Sequence, residues 1–242
     1  MNPIVPDWPA SATVQAFSTT RGGGVSQGVW DGLNLGESTG DDPDAIEENR
    51  RRLRRALPSD PRWLKQVHGT RVVHLDQWRP GMQADAAWTD RPDQVCAILT
   101  ADCLPLLLAE EDGAVVAAVH AGWRGLAADI LAEVLAALPV APARLLAWMG
   151  PAIGPARYEV DAPVRNALLA LNAEFSDCFE STRAGHWRAD LKSIAARRLQ
   201  GLGVESVYDA KLCTAAEPQR FFSHRRDLGL SGRQASLIWI GA

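Results

Sequence analysis

A chain of 242 residues, 47% hydrophobic and 22% charged, has the composition of an ordinary globular protein with a sizeable core, which excludes disordered, fibrous and staple-dependent miniature classes. Its net charge of −4 argues against a general nucleic-acid binder, which needs a basic surface to release phosphate counterions. No apolar run reaches the roughly 18 residues that cross a bilayer, and a start carrying Pro3, Pro6 and Pro9 lacks the pattern of a signal peptide, so the expectation is a cytoplasmic protein with no nucleic-acid or membrane partner.

In chain order, residues 14–18 read as a short strand, followed by a glycine-rich stretch to Gly36 that is too irregular for anything but a long loop, a feature that is commonly functional. Residues 43–57 read as a helix, with Asp42 as N-cap and Pro43 in its first position. The basic run from Arg50 to Arg55 follows Glu47 and Glu48 on that helix and reads as a solvated face. Short β-branched or aliphatic runs predict strands over 71–75, 95–100, 106–110, 114–120, 144–149, 206–208 and 235–240. Helical spacing of apolar residues predicts helices over 126–138, 163–172 and 191–202, the last capped by Asp190. No linker or repeat divides the chain, so a single domain over 1–242 is expected, of α/β (α+β) class with mixed sheets and helices outside them. The four cysteines, Cys96, Cys103, Cys178 and Cys213, form no CxxC pair and do not read as a disulfide framework.

The stretch from Ala101 to Gly125, ADCLPLLLAEEDGAVVAAVHAGWRG, carries the most chemistry. Asp112-Gly113 between two apolar runs predicts a two-residue type I′ hairpin. That register sets Pro105 opposite His120 and Cys103 opposite Gly122, so Cys103 and His120 are same-face diagonal neighbours about 7 to 8 Å apart. One metal ion fits between them, since zinc takes thiolate and imidazole at short range. A lone Cys and His more often serve as a small buried apolar residue and a hydrogen-bonded histidine. Here, however, His120 directly precedes Gly122-Trp123-Arg124, where a helix start and an arginine fork together suit a phosphate or carboxylate. Trp123 could stack on a purine or simply pack. Asp102, beside Cys103, is a candidate for orienting a ligand or moving a proton, or only ends a strand. A third metal ligand must come from elsewhere. His68, which precedes a strand, is the best remaining candidate; His74 inside a strand, His186 in a polar loop and His224 in a basic run are weaker, although composition alone does not separate His68 from His74.

These residues resemble a known family. FSTTRGGGVS (17–26), LKQVHG (64–69), TADCLPLLL (100–108), AVHAGWRGL (118–126), AWMGPAIGP (147–155) and FFSHRRD (221–227) together are similar to motifs of the YfiH-type proteins, variously called multicopper polyphenol oxidoreductases (laccases), purine nucleoside phosphorylases and peptidoglycan editing factors. The resemblance implies an α-β-β-α layered sandwich like the catalytic domain of cytotoxic necrotizing factor, and a metal site of His68, Cys103 and His120. It further implies phosphorolysis of purine nucleosides, with phosphate and nucleoside as small-molecule substrates, and adenosine deamination at the same site. Arg21 and Asp102 match family positions near the metal, for anion binding and proton transfer. Arg21 with its glycine-rich loop and Arg124 with Gly122 at the helix start are two alternative phosphate holders. Ser38 falls in a loop where the family often has histidine.

Two histidines and a cysteine leave a fourth position open, the pattern of a catalytic zinc site. Zinc lowers the pKa of a water it holds to about 7, which would permit attack on purine C6 with loss of ammonia, although the usual nucleobase deaminase signature is absent. Copper is the alternative metal, because His₂Cys also suits a blue copper centre, but five histidines are too few for the full set of a multicopper oxidase. Editing of a peptidoglycan precursor by amide hydrolysis, with either zinc hydroxide or a Cys103 nucleophile activated by His120, is the runner-up activity, and copper-dependent polyphenol oxidation is a further alternative.

Overall fold

Alternating apolar strands and amphipathic helices resolve into stacked layers in the computed structural model, which describes residues 2–241. The strands are β1 (Val14–Ser18), β2 (Val72–His74), β3 (Ala86–Thr89), β4 (Cys96–Thr100), β5 (Leu104–Glu110), β6 (Val116–Ala121), β7 (Leu145–Met149), β8 (Glu159–Asp161), β9 (Phe179–Arg183), β10 (His186–Ala189), β11 (Ser206–Asp209) and β12 (Gln234–Ile240). The α-helices are α1 (Pro43–Arg54), α2 (Trp123–Ala127), α3 (Ile130–Ala137), α4 (Ala162–Leu171) and α5 (Leu191–Gly201). A six-stranded sheet in the order β11-β7-β5-β6-β3-β2 is mixed, with parallel pairs at both edges and antiparallel pairs between. An antiparallel sheet of β1-β12-β4 packs on one of its faces, and β8-β10-β9 form a small separate sheet.

Side-chain alternation divides the core into three leaves. Leu107 and Ala109 of β5, Val116 and Ala118 of β6, Cys96 and Ile98 of β4 and Ile238 of β12 fill the space between the two large sheets. Leu106, Leu108 and Val119 point the other way, onto Ile130 and Val134 of α3 and Ile194 and Leu199 of α5. On the far side, Phe17, Ala97, Leu237 and Trp239 meet Leu53 of α1. This is the α-β-β-α layering that the family resemblance implied. Central strands covered on both faces become continuous apolar runs, as in β5, where every residue is buried.

Arg51, Arg52 and Arg54 of α1 form a solvated face, the first two paired with Glu48 and the third with Asp60, whereas Arg50, paired with Glu37, turns inward to the Leu35 carbonyl and the Trp63 ring. All four cysteines are free. Among the described residues no helix is long and apolar enough to cross a membrane.

Three expectations need correction. The helix read over 126–138 is two helices, because Asp129 takes a left-handed φ of 64° between α2 and α3, where Arg198 of α5 binds its carboxylate at 2.9 Å. The β5–β6 turn is longer than the two-residue type I′ form. Gly113 alone in it has positive φ, and Glu110 pairs with Val115 around a four-residue loop. The added residues are symmetric about the turn, so the register is the expected one, with Pro105 opposite His120. Finally, β3 and β8 to β10 were not expected. β3 reads AAWT, short and alanine-rich, and β9 carries exposed polar residues from Glu180 to Arg183, so neither shows an apolar strand pattern.

Candidate metal centre

His120, next to last in β6 and on the face turned toward the second sheet, is buried, while half-buried Cys103 immediately precedes β5. The loop from Leu64 to the start of β2 carries exposed His68 over the same spot, at a backbone φ of 59°. Cys103 Sγ lies 3.7 Å from His68 Nε2, the two imidazole rings stand 4.7 Å apart, and one ligand atom from each of the three residues falls within 4.8 Å of the others. Tetrahedral zinc with thiolate and imidazole ligands separates S and N by roughly 3.6 Å. The donor set therefore fits a single ion, and the exposed His68 side leaves a fourth position accessible. His74, the alternative third ligand, is turned elsewhere, bonded to Asp90 at 3.2 Å and packed on Trp88.

Asp85, just before β3, holds this group together and was not foreseen. Its carboxylate accepts the backbone N–H groups of Val67, His68 and Gly69 at 3.2, 2.9 and 2.8 Å, and His120 Nδ1 donates to it at 2.8 Å. One fully buried carboxylate thus shapes the His68 loop and commits Nδ1 of His120 to the proton, leaving Nε2 for a metal. Burial pushes the Asp85 carboxyl up, but the hydrogen bonds from His120 and the Gly69 amide outweigh it and hold it below the usual carboxylate range. The one available signal was a lone acid between Ala84 and Ala86, a charge within an apolar run.

Gly122 is dictated by the same geometry. A Cβ there would lie 3.0 Å from both Cys103 Sγ and His68 Cδ2, so any side chain pushes into the ligand group.

In the metal-free protein the ligands form an ion pair. Burial pushes the Cys103 thiol up, but the charge and hydrogen bond of His120 outweigh it and bring it down to about 6. Burial lowers His120, and the Cys103 thiolate with Asp85 overcomes this to raise it to about 9. Metal binding must then displace the Nε2 proton of His120 between these two values, and the Cys103 proton as well below the lower one. The expected result in a competition titration is zinc affinity that rises about tenfold per pH unit from 6 to 9, more steeply below 6, and levels off above 9. Affinity that is flat across that interval would contradict the ion pair.

The other candidates divide by what already binds them. Asp102, at a φ of 88°, has a carboxylate that accepts Thr214 Oγ1 at 2.6 Å, Ser223 Oγ at 3.0 Å and the Arg225 amide at 2.6 Å, and so ties two distant loops to the strand end. Arg21 donates from Nε and Nη2 to the Asp31 carbonyl and from Nη1 to the Pro218 carbonyl, with its guanidinium over Phe222. Arg124 is exposed and rests on the Trp123 ring at 4.5 Å, and its guanidinium has no hydrogen-bond or ion-pair partner among the described residues. The helix it stands on, α2, has only five residues, so the helix-start contribution expected there is small. Ser38 is exposed on a short turn, and the neighbouring Gly36 packs against Arg233. Arg233 is half-buried, with a charge that interacts with Cys103 and Asp102.

Residues 15–241 match the family described as multi-copper polyphenol oxidoreductase laccase. The chain belongs to this family. A Pseudomonas aeruginosa protein named purine nucleoside phosphorylase is 48% identical over 238 residues, covering 98% of both chains. An Escherichia coli protein named purine nucleoside phosphorylase YfiH is 47% identical over 240 residues, again covering 98% of both. The crystal structure of a Neisseria meningitidis protein superposes with a TM-score of 0.96 at 42% identity over the whole of both chains. That of YlmD from Geobacillus stearothermophilus gives 0.90 at 31% identity, covering 96% of this chain and 93% of the other.

The multi-copper laccase family's descriptive name does not fit the donor count in this chain. Of its five histidines, His68 and His120 meet Cys103, whereas His74 bonds to Asp90, His186 bonds to the Ala184 carbonyl, and His224 is not part of the group. A group of this size has donors for one ion rather than several coppers.

Proposed function

We propose that the chain is a zinc-dependent purine nucleoside phosphorylase that also deaminates adenosine at the same site. One observation carries this reading: a His68–Cys103–His120 group, exposed at His68, stands against Gly122, two residues before an arginine whose guanidinium has no hydrogen-bond or ion-pair partner among the described residues. The names borne by relatives at 47 to 48% identity support the same substrate class.

Phosphorolysis joins a phosphate oxygen to the ribose C1′ as the bond from C1′ to the purine nitrogen breaks. The phosphate needs a cation that is free to take it, and the guanidinium of Arg124 offers a planar donor fork for it. Arg21, already bound to two carbonyls, secures the glycine-rich loop instead. Asp102, with three donors on its carboxylate, supports a positioning role for the 214–225 segment over proton transfer. Zinc, when bound, supplies Lewis-acid polarisation of the substrate.

Arg124→Ala is expected to raise the phosphate KM by about 10- to 100-fold, the scale of a lost charge-assisted hydrogen bond, with metal content unchanged. Arg21→Ala is expected to lower thermal stability and leave the phosphate titration as in the wild type. The reverse pattern would assign phosphate to Arg21. Deamination is tested by following adenosine without phosphate: conversion to inosine supports it, and unchanged adenosine removes it.

A further inference from the structure

β4 is an edge strand of its sheet, and the segment that leads to His68 runs along its free edge. The Arg62 N–H donates to the Val95 carbonyl at 3.2 Å, and further along the edge the side chain of Gln66 takes over. Its Nε2 donates to the Leu99 carbonyl at 2.7 Å, and its Oε1 accepts the Leu99 N–H at 2.7 Å. One side-chain amide thus makes the pair of bonds that a neighbouring strand would make, where the edge would otherwise present an unpaired donor and acceptor.

This clamp joins the chain segments that carry two of the three candidate ligands. His68 lies two residues after Gln66, and Cys103 lies four residues after Leu99. On its other side the same segment is tied to the approach to β3, where the Lys65 N–H donates to the Met82 carbonyl at 2.9 Å and the Lys65 carbonyl accepts the Ala84 N–H at 3.3 Å. His68 itself holds a left-handed φ of 59°, a conformation uncommon for a side chain of its size and one that its surroundings must maintain. Asp85 fixes the amides of residues 67–69 within that turn, and Gln66 fixes the chain that enters it.

Resting on the reading of His68, Cys103 and His120 as metal ligands, we propose that Gln66 is a positioning residue for the metal: its paired hydrogen bonds to Leu99 hold the His68 arm at its distance from Cys103. The Gln66 side chain bonds to Leu99 alone among the described residues, so its effect on the metal passes through His68. Without the clamp, the chain entering the turn is free to relax toward an ordinary φ, and the imidazole leaves its place 3.7 Å from the Cys103 sulfur. The site then retains Cys103 and His120 and loses its third ligand.

Gln66→Met is close in size and removes both bonds. Zinc affinity, measured by competition with a chelator, is expected to fall about 10- to 100-fold. In a His68→Ala background the same substitution is expected to change affinity by less than about twofold, because no third ligand is left to place. A general loosening of the fold would instead lower affinity by the same factor in both backgrounds. Gln66→Glu keeps the side-chain length and the bond from the Leu99 N–H but sets a carboxylate oxygen against the Leu99 carbonyl, and its affinity should fall in the same pattern. With cobalt(II) as the probe, Gln66→Met should keep the thiolate-to-metal absorption of Cys103 and lose the intense visible bands of a four-coordinate ion. Wild-type zinc affinity in Gln66→Met, or an equal loss in both backgrounds, would overturn the proposal. A wild-type protein that takes up no zinc would remove the metal reading itself, and the proposal with it.

Discussion

Replacing Cys103 with alanine is expected to strip the bound metal and lower kcat/KM for nucleoside phosphorolysis by more than about 100-fold, because loss of partners one step further from a metal already costs 10- to 100-fold. The fold should survive. Cys103 is half-buried and lies just before β5, outside the three apolar leaves, so its truncation opens no core cavity. Unfolding in urea is expected to shift by about 1 kcal/mol or less. Elemental analysis together with that denaturation curve checks both halves: a variant that retains metal and activity excludes Cys103 as a ligand, and one that fails to fold makes it structural.

Asp85→Asn is the second large effect, and it acts on stability and metal together. The carboxylate is fully buried and receives three backbone N–H groups and one imidazole. An amide of the same shape sets its NH₂ against some of those donors, and no solvent replaces the lost acceptor. Removing one partner of a buried ion pair costs about 3 to 5 kcal/mol. Metal affinity should fall about 10- to 100-fold as the His68 loop and the His120 tautomer are released. The pH dependence has a defined sign. The folded pKa of Asp85 is depressed, so its stabilisation is present above the unfolded carboxylate value of about 4 and is lost as pH falls through the lower folded value. In urea titrations the wild type should lose more stability than Asp85→Asn on acidification; parallel losses would show that Asp85 contributes no such linkage.

The contrast between Cys103 and Asp85 shows what a linear chain reveals. Cys103 and His120 lie on the two arms of one hairpin at its open end, and a period of two residues per strand relates them once the Asp112-Gly113 turn is placed. The register survived a mistaken turn type because the extra loop residues were symmetric. The layering was legible for a related reason: buried strands such as β5 and amphipathic helices such as α5 carry their periodicity in their own residues. His68 was different, since only its place before a strand favoured it over His74, and the family resemblance settled the choice. Asp85 left only the faint signal of a lone acid among alanines. Asp85 belongs to β3's approach, where alanines give no strand signal, and its importance lies in donors from residues 67–69 and 120. The two arginines were indistinguishable for the same reason: the carbonyls of Asp31 and Pro218 that occupy Arg21 are brought to it by tertiary structure.

The most direct test of the account is release of hypoxanthine from inosine by the zinc-loaded protein, measured by chromatography with and without inorganic phosphate. The account predicts free base and ribose 1-phosphate in equal amounts, only when phosphate is present. Absence of turnover from protein carrying one zinc per chain, or base release that does not depend on phosphate, would contradict it.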